Sequence, residues 1–286
     1  YDQGTPGLDR ERVSMQQSIY TTILAPNASL MSGPGTNTII LGQDDQDGAL
    51  VIDPADAAPA HLEAIVEEGG RRGGIRKILV THGHPDHVGG AAELRERLHV
   101  PIYAFNRRGV SILDYEVPGG TPFAVGGDIL RAIHTPGHRF DHLSFWLENA
   151  HILFAGDHIS GITTNVIAPP DGDMLDYLNA LKRLQSFEIA EIVPAHGPNI
   201  ADPQAKIAEY IAHRQLREQQ ILAVMEQLGP GATIAQMVAQ IYQDVDPKLH
   251  PVAAYSVEAH LIKLEREEIA ERCGGGWRLV QKPPSV

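Results

Sequence analysis

The sequence predicts an α/β fold followed by a small helical domain, and three observations support this. From residue 19 to about residue 200, short apolar runs rich in β-branched side chains alternate with amphipathic helical stretches. Four of these runs end in a His or an Asp, which is typical of a site assembled at the strand ends of an α/β sheet. After Pro203 long helical segments replace the alternation. We therefore expect an arm over 1–18, a catalytic domain over 19–203 and a C-terminal domain over 204–286.

The composition limits the class of protein. With 286 residues and 43% hydrophobic content, the chain can bury a large core. No apolar stretch approaches the roughly 18 residues that a membrane-spanning helix needs, so we expect no membrane partner. Cys273 is the single cysteine, which excludes an intrachain disulfide and suits a reducing cytoplasm. A net charge of −13 argues against a general polyanion-binding protein.

The elements of the larger domain follow from periodicity and turn signals. Apolar and β-branched runs predict strands over 19–24, 37–41, 49–53, 77–80, 101–105, 128–134, 152–156 and 191–194. A helical period predicts a helix over 57–68, with His61 on its exposed face, and an amphipathic helix over 173–184. The stretch 42–48 predicts a hairpin turn, and 106–121 is expected to be a loop that forms part of a pocket wall.

The most informative stretch is the segment 80–90, which reads VTHGHPDHVGG. It places His82, His84, Asp86 and His87 directly after an apolar strand. Imidazole and carboxylate groups are the usual ligands of a hydrolytic metal ion. A single His-X-His pair would also fit a helix cap or a surface loop, but four potential ligands in this order indicate a metal site.

Three later strand ends carry further candidates. His138, Asp157 and His196 each follow an apolar run that is predicted to be a strand. Strands fix the positions of the loops that follow them, so side chains at several strand ends can meet at one point. We expect these three residues to complete the site that begins in the segment 80–90.

Other polar residues close to these candidates are expected to support them. His134 still lies within its strand, and we expect it to pack there. Asp141 and His142 are expected to orient ligand imidazoles through hydrogen bonds. Asp53 fits two interpretations equally well, a carboxylate that orients a ligand or a turn residue at the end of its strand.

The C-terminal segment predicts three helices and a hairpin. The helices are expected over 204–228, 233–241 and 252–270, and the run GGGWRLV at 274–280 indicates a turn and a strand. This order is typical of a winged helix, which either binds nucleic acid or serves in packing and homodimer formation. From residue 207 onward eight Lys/Arg stand against ten Asp/Glu. A duplex-DNA reader is usually basic, so we expect no duplex DNA partner.

The complete set of candidates resembles the metallo-β-lactamase superfamily. The resemblance rests on the HGHPDH motif at 82–87 followed by His138, Asp157 and His196, and it spans roughly residues 19–200. It implies a four-layer αβ/βα sandwich with two divalent metal ions per chain, zinc by default and iron or manganese as alternatives. By position it assigns His82, His84 and His138 to the first metal, Asp86, His87 and His196 to the second, and Asp157 to both.

The likeness extends to the winged-helix-tailed branch of the superfamily that contains β-lactamase-like protein 2, an endoribonuclease. It includes Asn27, the GTNT motif at 35–38 and the segments 210–214 and 217–221. Fungal thioesterases that release polyketides share the same core. The resemblance implies a hydrolase in which a hydroxide bridging the metals attacks the substrate, with Asp86 orienting that hydroxide or accepting its proton.

The same resemblance implies two possible classes of substrate. Our first expectation is a phosphodiester in single-stranded RNA, and the alternative is a thioester, ester or lactone. The β-lactamases of the superfamily lack the bridging carboxylate that Asp157 supplies here, so at most promiscuous lactam cleavage is expected. A non-enzymatic binding module is not expected, because no ligand of the set is missing.

Overall fold

In the part of the chain that the structure describes, eleven strands form two sheets that face each other. The computed structural model describes residues 18–43 and 47–280, so the expected arm over 1–18 lies outside the described residues apart from Ser18. The first sheet has six strands in chain order, Tyr20–Leu24 (β1), Asn37–Leu41 (β2), Ala49–Ile52 (β3), Ile75–Leu79 (β4), Ile102–Ala104 (β5) and Tyr115–Glu116 (β6). The second sheet consists of Pro122–Val125 (β7), Asp128–His134 (β8), Leu143–Leu147 (β9), Ile152–Gly156 (β10) and Glu191–Pro194 (β11).

The direction of the strands brings several strand ends to one edge. In the first sheet β1, β2 and β3 are antiparallel neighbours, whereas β3, β4, β5 and β6 run parallel. In the second sheet β7 to β10 are antiparallel neighbours, and β11 runs parallel to β10. Because the carboxyl ends of parallel strands share an edge, the segments that follow β3 and β4 meet, as do those that follow β10 and β11.

Helices cover the outer faces of both sheets. They are Pro59–Gly70 (α1), Pro85–Val88 (α2), Ala91–Leu98 (α3), Met174–Leu184 (α4) and Pro203–Leu228 (α5). One apolar cluster lies between the sheets and joins Leu50 and Leu79 to Phe145 and Phe154. A second packs α1 and α3 on the first sheet, and a third packs α4 and the start of α5 on the second sheet. These layers confirm the predicted αβ/βα sandwich.

The C-terminal helices and hairpin bury a core of their own. Ile234–Ile241 (α6), the 3₁₀ turn Pro247–Leu249, His250–Arg266 (α7) and the hairpin Ala270–Cys273 (β12) and Gly276–Leu279 (β13) follow α5. Met225, Met237, Leu261 and Trp277 are buried together there. Thr233 begins α6 with a capping box, as its position before the apolar run predicts. No helix in the described part of the chain is both long and apolar enough to cross a membrane.

Four expectations from the sequence need correction. The helix α1 begins at Pro59 and ends at Gly70, two residues later at each end than the expected range 57–68. His61 is buried rather than exposed, because its Nε2 lies 3.1 Å from Thr38 Oγ1 on the first sheet. The helix α7 ends at Arg266, because Ala270 pairs with Leu279 in the hairpin instead. The segment 106–121 contains β6, and buried residues such as Leu113 fix it to the core.

A buried arginine ties the end of α1 to the first sheet. Arg72 Nε donates to Glu68 Oε1 at 2.7 Å, and Nη1 donates to the carbonyl oxygens of Ser18 and Gly42. Nη2 donates to Thr21 Oγ1 at 2.6 Å. The guanidinium thereby joins the helix to β1 and to the turn after β2.

Replacing this arginine should therefore be costly. We expect Arg72→Ala to lower the free energy of unfolding by about 3–5 kcal/mol, because Glu68 loses its buried partner and the carbonyls of Ser18 and Gly42 lose their donor. The neighbouring Arg71 is mostly exposed, and Arg71→Ala should cost less than about 1 kcal/mol. Urea denaturation of both variants measures the difference, and equal losses would contradict the assignment.

Candidate metal centre

The seven residues assigned from the sequence lie together between the two sheets. They come from loops after β4, β8, β10 and β11, and from α2. Their potential ligand atoms form two groups, and within each group all of these atoms lie within 4.8 Å of one another. The first group contains His82, His84, His138 and Asp157, and the second contains Asp86, His87 and His196.

The ligand atoms of the first group have a spacing that suits tetrahedral coordination of one ion. His84 Nδ1 lies 2.9 Å from His82 Nε2 and 3.1 Å from His138 Nε2. Asp157 Oδ2 lies 3.5 Å from His138 Nε2. Ligands bound to zinc at about 2.0–2.1 Å in a tetrahedron are roughly 3.3 Å apart. The three nitrogens therefore converge as they would around one ion.

The second group shares Asp157 with the first. His196 Nε2 lies 3.2 Å from Asp157 Oδ1 and 3.6 Å from Asp86 Oδ2. His87 Nε2 lies 3.5 Å from Asp157 Oδ1 and 4.0 Å from Asp86 Oδ2. One carboxylate oxygen of Asp157 thus faces each group, which is the arrangement of a bridging ligand.

Two buried atoms at the centre have no hydrogen-bond partner. His87 Nε2 and Asp157 Oδ1 are both shielded from solvent, and neither forms a hydrogen bond with any described residue despite their short separation. Buried polar atoms without a partner are rare and call for a specific explanation. A cation placed between them supplies one, so the residues present fit a pair of divalent metal ions.

The charge states of the first group, His82, His84, His138 and Asp157, also suit metal binding. Burial, with the charges of neighbouring imidazoles, lowers the pKa of His82 well below its ordinary value and that of His84 to about 4. Burial likewise lowers the pKa of His138. Burial opposes the ionised form of Asp157, but His87 and His196 outweigh it and hold the pKa of this carboxyl well below its usual range. Neutral imidazoles and an ionised carboxylate are the forms that bind metals.

Asp53 fixes the orientation of His87. Burial opposes protonation of His87, but Asp157 and Asp53 raise its pKa well above the ordinary value. Asp53 Oδ2 accepts a hydrogen bond from His87 Nδ1 at 2.7 Å, which leaves Nε2 directed at the centre. Asp53 also accepts from the Thr81 amide and hydroxyl, and its φ of 51° places it in a turn conformation. Both interpretations of Asp53 are therefore correct.

The polar residues after β8 support the site through backbone amides, and not through the clustered imidazoles as expected. His142 Nε2 accepts the backbone N–H of Asp157 at 3.0 Å, and its Nδ1 lies 2.8 Å from Thr135 Oγ1. Asp141 accepts the backbone N–H of Gly83 at 3.0 Å, next to the first ligands. His134 packs flat on Phe105, with ring centroids 4.0 Å apart, and takes no part in the cluster.

Some supporting residues have no local signal in the sequence. Asn27 was noted in the resemblance without a role, and its side chain donates to the Asp86 carbonyl at 3.4 Å. Asn165 donates to the Asp157 carbonyl, and Arg214 donates to the Asn165 carbonyl. The carbonyl of Val166 accepts from His138 Nδ1 at 2.8 Å. These contacts join distant segments, so spacing in the sequence does not reveal them.

A cleft opens on one side of the cluster. The metal cleft, as we call it, has a volume of about 460 Å³ and is lined by the ligands His84, Asp86, His138, Asp157 and His196. Apolar side chains form its outer walls, namely Leu30, Met31, Ile162, Val166, Leu249 and Val252. The loop 159–172 contributes to these walls, whereas no residue of 106–121 lines the cleft, contrary to the expectation from the sequence.

A second cavity, which we call the apolar branch, continues from the metal cleft. It has a volume of about 240 Å³ and shares Met31, Val166 and Val252 with the cleft. Ala168 and Tyr255 extend its wall, and Arg139 and Asp171 line its polar side. Both cavities therefore lie between the larger domain and the C-terminal helices.

Comparison with known proteins gives consistent matches. The family model described as "Metallo-beta-lactamase superfamily" matches residues 32–196, and the model described as "Beta-lactamase associated winged helix domain" matches residues 233–277. The chain is 35% identical over 265 residues to a protein of Drosophila melanogaster named "Beta-lactamase-like protein 2 homolog", covering 86% of this chain and 87% of that one.

Two further matches extend this picture. The chain is 30% identical over 235 residues to an Emericella nidulans protein named "Atrochrysone carboxyl ACP thioesterase", covering 81% of this chain and 73% of that one. The crystal structure of a metallo-beta-lactamase family protein from Thermus thermophilus superimposes with a TM-score of 0.75 at 22% identity. That superposition covers 92% of this chain and 99% of the other, and it supports the fold.

The metal assignment can be tested by substitution of a ligand. We expect His84→Ala to lose metal, because Nδ1 of this residue lies between the Nε2 atoms of His82 and His138, at 2.9 and 3.1 Å. His134→Ala is the matched control, because His134 lies in a strand nearby without joining the cluster. Elemental analysis should find two metal ions per chain in the wild type and the control. A His84→Ala variant with wild-type metal content and turnover would overturn the assignment.

The hydrogen bond between His87 and Asp53 predicts that Asp53 contributes to metal affinity. In Asp53→Asn the amide nitrogen cannot accept the proton of His87 Nδ1, so the imidazole is expected to change tautomer and block Nε2. We expect metal affinity to fall by about 10- to 100-fold, measured by chelator competition. Asn tolerates the positive φ of this position, and the exposed Glu63→Gln serves as the control. Unchanged affinity would contradict the proposed orientation.

Proposed function

Because the chain belongs to the metallo-β-lactamase superfamily, we propose that it is a dinuclear metal-dependent hydrolase that cleaves acyl substrates, thioesters first. The seven clustered residues are proposed to hold two divalent ions, with zinc as the first choice for a His-rich site. Such ions supply Lewis acidity and lower the pKa of water toward neutrality.

The residues of the chain have separate roles in this proposal. His82, His84 and His138 remain neutral and present nitrogen lone pairs. Asp86 is one-third exposed and lines the cleft, so its carboxylate is placed to orient the attacking water and accept its proton. Asp53 holds His87 in the tautomer that the site requires.

The apolar walls of the metal cleft are the observation that favours an acyl substrate. Leu30, Met31 and Ile162 are exposed at its mouth, and Val252 and Tyr255 line the apolar branch. An acyl chain placed there removes apolar surface from water and brings its carbonyl carbon to the metals. Water then attacks that carbon, the carbon–sulfur bond breaks, and the thiol leaves with a proton. The thioesterase name of the Emericella nidulans relative agrees with this class.

A phosphodiester in single-stranded RNA is the second candidate, and it was the first expectation from the sequence. The match to β-lactamase-like protein 2 homologs along most of the chain favours it. Arg214 and Arg217, beyond the metal cleft, also offer positive charge to a phosphate backbone, whereas Arg139 pairs with Asp141. The net charge of −13 and the apolar walls favour the acyl substrate instead.

We also propose a cellular location and an oligomeric state. The single cysteine suits a reducing compartment, so we propose that the protein is cytoplasmic. Homodimer formation through the C-terminal helices also stays a prediction, as does the lack of a duplex DNA partner. Gel filtration and a duplex-binding assay test these two points directly.

Chain-length dependence tests the acyl proposal. The kcat/KM for thioester hydrolysis should rise roughly three- to fourfold per added methylene, because each buried methylene contributes about 0.8 kcal/mol. We expect Val252→Asp to abolish this rise, and Leu216→Asp, at an exposed site away from the cavities, to preserve it. Labelled single-stranded RNA is tested in parallel, with His82→Ala as the inactive control. Metal-dependent RNA cleavage without thioester turnover would reverse the order of the two candidates.

A further inference from the structure

A third cavity adjoins the metal cleft. This cavity, the arginine branch, has a volume of about 220 Å³ and shares Thr164, Asn165, Val166, Leu249 and Val252 with the cleft. Val166 and Val252 line all three cavities, so the branches diverge from one point. A substrate with its reacting carbon at the metals can therefore extend in two directions.

The arginine branch differs from the apolar branch in charge. It is lined by Arg214, Arg217 and His213, and no Asp or Glu lines it. Burial and the charges of the two guanidinium groups lower the pKa of His213 to about 4. In a chain whose net charge is −13, this is a local region of positive potential.

Arg214 is the more informative of the two arginines. Among the described residues two arginines are fully buried, and Arg72 has its carboxylate partner in Glu68. Arg214 is 2% exposed and has no carboxylate within ion-pair distance in the described part of the chain. Its Nε is buried without a hydrogen-bond partner there. A buried guanidinium without a counter-charge is strongly disfavoured, so this position favours the binding of an anion.

Arg217 completes the pair at the more accessible end. Its guanidinium lies 4.5 Å from the centre of the Tyr242 ring, and Nη1 donates to Gln220 Oε1 at 2.9 Å. These contacts hold the planar group in place but leave its charge uncompensated. Two positioned guanidinium groups are well suited to bind a phosphate through several charge-assisted hydrogen bonds.

We propose that Arg214 and Arg217 form a phosphate subsite for the leaving group of the substrate. The inference rests on the proposed thioester hydrolysis, and it adds that the thiol is carried on a phosphorylated arm of the phosphopantetheine type. The acyl chain occupies the apolar branch, the thioester lies at the metals, and the phosphate lies in the arginine branch. The subsite positions substrate and takes no part in bond cleavage.

Binding of two matched probes tests the subsite. Isothermal titration calorimetry compares 4′-phosphopantetheine with pantetheine on the full, metal-loaded chain. The two probes carry the same thiol, so contact between sulfur and metal cancels in the comparison. We expect the phosphorylated probe to bind at least about 10-fold more tightly, because a charge-assisted hydrogen bond is lost without the phosphate.

Substitutions test whether the preference for the phosphorylated probe comes from the arginine branch. Arg217→Gln should remove it, whereas Arg76→Gln, which changes an exposed arginine outside the cavities, should preserve it. Arg217 is the better variant to use, because Arg214 also holds the Asn165 carbonyl and its loss would disturb the loop. Equal binding of the two probes, or a phosphate preference that survives in Arg217→Gln, would overturn the subsite.

Hydrolysis assays distinguish a failure of the phosphate subsite from a failure of the proposed thioester hydrolase. Acyl-4′-phosphopantetheine should have a higher kcat/KM than the same acyl group on N-acetylcysteamine, and Arg217→Gln should lower the ratio of these two values. Turnover of both thioesters at equal rates would refute the subsite and leave the hydrolase intact. Arg217-dependent binding without thioester turnover would refute the hydrolase proposal and leave the phosphate subsite. Arg217-dependent binding of single-stranded RNA alone would exclude a phosphorylated thiol arm.

Discussion

The carboxylate of Asp157 is the group that joins both halves of the site. It leaves the second sheet at the end of β10, and its two oxygens face His138 on one side and His87 and His196 on the other. An ionised carboxylate is stable in a buried position only when opposite charge surrounds it. The two sheets must therefore keep their edges in register, since a shift of either one would leave Asp157 uncompensated. Asp53 fixes His87 on the side of the first sheet, and His142 fixes the backbone of Asp157 on the side of the second sheet.

The C-terminal helices are part of this support. Tyr210 on α5 accepts the backbone N–H of Ser160 at 2.9 Å and lies 2.8 Å from the Thr163 carbonyl, so it holds the loop after β10. Arg214, one turn further along α5, reaches the same loop at Asn165. The helix thus contacts the segment that carries Asp157 and also forms one wall of the arginine branch. The geometry of the cluster and the shape of this branch depend on the same helix.

The sequence predicted most of the site because its signals are local. The four candidates in 80–90 lie within six residues, and each later candidate directly follows an apolar strand. The supporting contacts could not be predicted in this way. Asn27 and Asp86 are 59 positions apart, and Arg214 and Asn165 are 49 apart. His61 was misplaced for the same reason, since its partner Thr38 belongs to a strand that only the folded chain brings near. Local periodicity also predicted that the third C-terminal helix continues to residue 270. The helix α7 ends at Arg266, before the strands of the hairpin pair.

The division of the cleft between two parts of the chain has an evolutionary consequence. All seven clustered residues lie before residue 197, whereas Leu249, Val252 and Tyr255 come from the C-terminal helices. The segment 249–255 can therefore vary among relatives without altering the chemistry at the cluster. A lineage can acquire a new substrate by changing one short stretch of surface, while selection for hydrolysis acts on another.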